Sequence, residues 1–138
     1  MIKLLDNMKD TIYNELTELF KSNNMNQDEF DKFHKLVCDK LINTSSKILT
    51  YGQAQKWINM TLKYVSMFDH VRTEKTYEFY HVPIDNIILH STKYKKLGTR
   101  WSRISSYDKY FDFQKWFRNN NEGIPLDVEF NMWLNAKK

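Results

Sequence analysis

Three glycines and two prolines are all that 138 residues contain, and this scarcity narrows the fold more than any other feature. An all-β sandwich or barrel needs turn residues every eight to twelve positions or so, and a dinucleotide-binding α/β fold needs a glycine-rich first turn. Neither can be built from Gly52, Gly98, Gly123, Pro83 and Pro125. Long uninterrupted stretches with few breakers predict helices instead.

The apolar spacing agrees. Ile2, Leu5, Met8, Ile12, Leu16, Leu19 and Phe20 recur at helical intervals, so residues 2–22 read as an amphipathic helix. Asn26 followed by Glu29 predicts a capping box that opens a second helix, running to about Ile42 on Phe30, Phe33, Val37 and Leu41. Thr50 is the expected cap of a third helix over 51–68, with Ala54, Trp57, Ile58, Leu62, Val65 and Phe68 as its apolar face. EKTYEFYHV alternates weakly and reads as a connector. Pro83 suits the first turn of a helix carrying Ile84, Ile87 and Ile88. Ser105 with Asp108 predicts a further capping box, and Pro125 opens a last short helix on Leu126, Phe130, Trp133 and Leu134. The expectation is an all-α fold, one domain over 1–138 with five or six helices.

A chain of this length buries enough surface to need no staple, and aromatics at 15% supply bulk where Ala54 and Ala136 are the only alanines. Cys38 is the single cysteine, which excludes an internal disulfide. No apolar run of about 18 residues exists, so no membrane span is expected. MIKLLDNMKD is too evenly charged for a signal peptide, and the expected compartment is the cytoplasm.

Several chemistries have no motif here. The chain carries no GxxxxGK[ST], GxGxxG, HExxH, CxxC or GxSxG. His90-Ser-Thr92 is an HxT triplet without the second that a two-histidine phosphoesterase requires, and Arg72 and His81 stand too far apart for the small helical ribonuclease pattern. No metal site and no cofactor are expected.

Charge points elsewhere. The net charge is +4 overall, but residues 1–46 carry −2, residues 47–118 carry +7 and the last twenty carry −1. Within the basic region, Lys93, Tyr94, Lys95, Lys96, Arg100, Trp101 and Arg103 interleave cations with aromatics around Gly98. Such cations neutralise phosphates and exposed rings stack on unpaired bases; the structural alternative is a Trp101 core anchor among solvated lysines. Lys56, Asn59, Met60 and Lys63 share a helical face that suits either a partner or an internal amide network. Asp85, just past Pro83, is either a helix cap or a catalytic carboxylate beside His81. Phe113, Trp116, Phe117, Phe130 and Trp133 read as core, with Trp133 on the last helix offered to a partner as the alternative.

YGQAQKWINMTLKY, HVPIDNIIL and PLDVEFNMW together resemble small helical proteins of bacterial and phage genomes, over residues 50–135. That resemblance implies no particular activity. HVPID also resembles the Pro-x-Asp start of the catalytic helix in helix-hairpin-helix DNA glycosylases. It implies that Asp85 would stabilise a sugar cation, although the glycine-rich hairpin that precedes this helix in that family is absent here. The leading expectation is a non-enzymatic protein that engages nucleic acid, or a nucleic-acid-handling protein, through residues 93–103 with Lys56 and Lys63. Small size and an AT-rich bias (17 lysines against 4 arginines) fit a phage or mobile-element inhibitor of a host defence nuclease. A nucleic-acid-acting enzyme centred on Asp85 and an adaptor or oligomerisation domain are the alternatives.

Overall fold

The computed structural model describes residues 2–136. Seven α-helices follow one another: α1 (Ile2–Phe20), α2 (Gln27–Thr44), α3 (Tyr51–Phe68), α4 (His70–Thr73), α5 (Asn86–Thr92), α6 (Tyr107–Asn120) and α7 (Pro125–Ala136). Short 3-10 turns lie at Tyr77–Phe79 and Trp101–Arg103, and no strand occurs among the described residues. The all-α expectation holds, but the helix count among the described residues is seven rather than five or six. The extra element is α4, a single turn capped by Asp69. Four residues leave no periodicity to read.

The predicted caps of α2 and α3 are present as reciprocal boxes, Asn26 with Glu29 and Thr50 with Gln53. Two other boundaries differ. Ser106, not Ser105, caps α6 by accepting from the Lys109 amide, because the cap must directly precede the first helical residue. Pro83 does not open a helix; α5 begins at Asn86 behind the Asp85 cap. Residues 81–84 are instead non-helical and buried. Gln114 clasps Val82 there, accepting from its N–H at 2.9 Å and donating to its carbonyl at 2.8 Å. Gln55 does the same to Ile84, at 3.0 and 2.9 Å. Two side-chain amides thus satisfy backbone groups that would otherwise be buried unpaired.

The core runs through Met8, Ile12, Leu16 and Leu19 of α1, Phe30, Val37 and Leu41 of α2, Ile58 and Leu62 of α3, and Tyr110, Phe113 and Phe117 of α6. A polar network crosses it. Asp31 on α2 holds Arg118 on α6 through two hydrogen bonds of 2.7 and 3.0 Å. His81 Nε2 lies 2.7 Å from Asp31 and donates to it, so Nδ1 accepts from the Tyr110 hydroxyl at 2.6 Å. His34 stacks on His81 with ring centres 4.1 Å apart. By the same logic its Nε2 donates to the Asn59 carbonyl oxygen at 2.8 Å and its Nδ1 accepts from Tyr107 at 2.9 Å. Asn59 completes the set by donating to Gln55 and to Tyr110. Asn59 therefore faces inward, into the internal amide network foreseen as one reading of its helix face.

Candidate nucleic-acid interface

The basic segment after α5 is an anchored strip rather than a loose loop. Lys93 ends α5 in a left-handed conformation (φ 59°) and redirects the chain. The Tyr94 ring then packs against α6, its centre 5.0 Å from Phe113 and 4.9 Å from Trp116. Leu97 is buried, and Gly98 makes the next bend at φ 71°. The far end is tied to the start of α3. Thr50 donates its hydroxyl to the Ser102 carbonyl at 2.7 Å, and the Gly52 amide donates to the Ile104 carbonyl at 3.1 Å. The approach at Gly52 is so close that a Cβ there would stand 1.8 Å from the Trp101 carbonyl oxygen.

This anchoring sorts the side chains. Lys93, Lys95, Lys96, Arg100 and Arg103 are all exposed, and among the described residues none of the five makes an ion pair. Tyr94 and Trp101 are half-buried, which combines anchoring with an accessible ring edge or face. Lys56 joins this surface, its ammonium lying 5.5 Å above the Trp101 ring while pairing with Asp85 at 2.7 Å. Lys63 stands apart. It is 6% exposed and lies against Phe130 and Trp133, 5.6 and 5.4 Å from their ring centres. Its ammonium is 2.9 Å from Glu129 Oε1 and donates to Oε2 at 3.1 Å, so Oε1 gains charge compensation without an aligned hydrogen bond. Burial raises the Glu129 pKa, and Lys63 works against that rise.

Sequence reading did not single out Lys109 and Asp112, and it took Trp116 for core. All three lie on one face of α6 and, with Tyr94 and Lys96, line an open pocket of about 300 Å³. Their spacing of three and four was visible once a helix over this stretch was inferred; that the Tyr94 segment folds against this face was not.

The alternative centre has a different character. Asp85 Oδ1 accepts from the Ile88 amide at 3.0 Å and Oδ2 binds Lys56, so the carboxylate serves as a cap with a cation beside it. His81 is 1% exposed and both ring nitrogens are engaged. Among the described residues no group of three or more His, Cys, Asp or Glu could hold a metal ion, and no helix is long and apolar enough to cross a membrane. No family model, curated protein or solved structure matches the chain.

Proposed function

We propose that the chain is a non-catalytic binder of single-stranded nucleic acid, with the 93–103 strip as its contact surface. The observation that carries this reading is the row of five exposed cations without counter-ions among the described residues, on a backbone fixed at both ends, beside half-buried Tyr94 and Trp116. Unpaired lysines and arginines keep their full charge for phosphates, and release of condensed counter-ions drives the association. Aromatic rings next to them favour a single strand, whose unstacked bases offer faces that a duplex hides. Pre-fixed backbone lowers the ordering cost on binding. The internal bonding of Asp85 and His81 supports a binder over an enzyme centred on those two groups.

The test is fluorescence anisotropy with labelled single-stranded DNA and RNA, comparing the unmodified chain with the triple variant Lys95→Glu, Lys96→Glu, Arg100→Glu. These side chains are exposed, so the helical circular dichroism should not change. Affinity should fall about tenfold or more. Equal affinity of the two proteins would remove the strip from the account. Capture of a nucleic-acid-handling protein that is lost in the triple variant, with no binding of strands, would also count against this reading.

A further inference from the structure

The pocket beside the strip contains a group that a phosphate-binding surface does not need. Lys96, Lys109 and the rings of Tyr94 and Trp116 suit a nucleotide, yet Asp112 lines the same pocket. A carboxylate among phosphate contacts is repulsive unless it reads something that donates. Its nearest cation, Lys115, is 3.5 Å away, and both side chains are more than half exposed (56% and 64%), so this pair contributes little and does not occupy the carboxylate. Asp112 and Tyr94 line the pocket together, and the Tyr94 phenol is raised above its usual pKa range by partial burial and then by the Asp112 charge.

Resting on the single-strand reading, we infer that this pocket takes one unstacked base of the bound strand and selects guanine, with Asp112 as the specificity-determining residue. The argument is one of complementary edges. An ionised carboxylate offers two acceptors side by side and no donor. Guanine alone among the bases presents two adjacent donors, N1–H and the N2 amino group, on its pairing edge. Adenine and cytosine each place a ring-nitrogen acceptor next to their amino group, and thymine or uracil flanks its single N–H with two carbonyls. Each of these would set a lone pair against the carboxylate, which weakens their binding relative to guanine. Lysine ammonium groups at Lys96 and Lys109 then suit guanine O6 and the adjoining phosphate. Tyr94 and Trp116 supply the apolar wall for stacking.

The probes are short labelled thymidine tracts in which one central nucleotide is thymine, adenine, cytosine, guanine, hypoxanthine or 7-deazaguanine. The guanine strand should bind about fivefold tighter or more than the all-thymine strand, the range expected of a good bidentate base contact. Hypoxanthine, which lacks the N2 amino group, should fall between them. The 7-deaza base, altered on the opposite edge, should match guanine. Asp112→Asn should erase the preference for guanine over thymine at the central position, because the amide replaces one of the two acceptors with a donor. Strands that bind with no dependence on the central base overturn the pocket's assignment and leave the single-strand reading standing. A guanine preference that survives Asp112→Asn also overturns it. Failure of every strand to bind removes both.

Discussion

Asp85 carries the two competing accounts of this chain in one side chain. Its Oδ1 satisfies an α5 amide and its Oδ2 a lysine, so an asparagine keeps the cap and loses only the ion pair. Asp85→Asn should cost about 1 kcal/mol or less, and Asp85→Ala about 1–2 kcal/mol, read as shifts in the urea midpoint. Neither change should lower affinity for single strands. Strand cleavage or base release that Asp85→Asn abolishes in a folded protein would instead make this carboxylate catalytic. The cap itself was legible in the sequence, because an aspartate ahead of an apolar run is a local signal. Its lysine partner was not, since Lys56 lies 29 positions away. The same limit hid Asp112, whose interest depends on Tyr94 and Lys96 arriving from another segment.

Elements whose signal is local are legible: α3 lies over the predicted 51–68, and the box at Asn26 and the cap at Thr50 form as expected. The non-helical 81–84 segment leaves no such signal, because Gln55 and Gln114 hold it from distant helices, and no periodicity records such clasps. The contact between α3 and the basic strip is likewise tertiary, and Gly52 tests it. Glycine to alanine inside a helix ordinarily stabilises by roughly 0.5–1 kcal/mol. Here the new Cβ would stand 1.8 Å from the Trp101 carbonyl oxygen, and neither backbone yields without moving the strip. The clash should win: Gly52→Ala is expected to destabilise by about 2 kcal/mol in chemical denaturation and to weaken single-strand binding several-fold. An alanine variant as stable as the original, with unchanged affinity, would show that the anchor does not matter.

Across the whole molecule, the Asp31–Arg118–His81–Tyr110 and His34–Asn59 bonds tie α2, α3, α6 and the 81–84 segment together, and they make the fold sensitive to acid. Burial lowers His81 from 6.5 to about 4 despite its bond to Asp31, and burial lowers His34 well below its usual value. Burial works to raise Asp31, but the bonds from His81 and Arg118 hold it below the ordinary carboxylate range. Between about pH 6.5 and 4 the unfolded chain binds protons that the folded imidazoles refuse, so stability is full above that window and is lost as pH falls through it. The slope approaches about 1.4 kcal/mol per pH unit for each imidazole, with Asp31 adding a further loss at lower pH. Urea midpoints should drop on going from about pH 7 to 5; an unchanged or higher midpoint at pH 5 would contradict the neutral-histidine network. This network gives the basic strip a rigid base, and the strip gives the molecule its proposed role. That role is tested most directly by the salt dependence of single-strand affinity. Five phosphate contacts predict a log–log slope of about −3.5 for the unmodified chain, from roughly −0.7 per contact. For the variant reversed at Lys95, Lys96 and Arg100 the slope should fall towards zero. A slope near zero for the unmodified chain, or the same slope for both proteins, would contradict it.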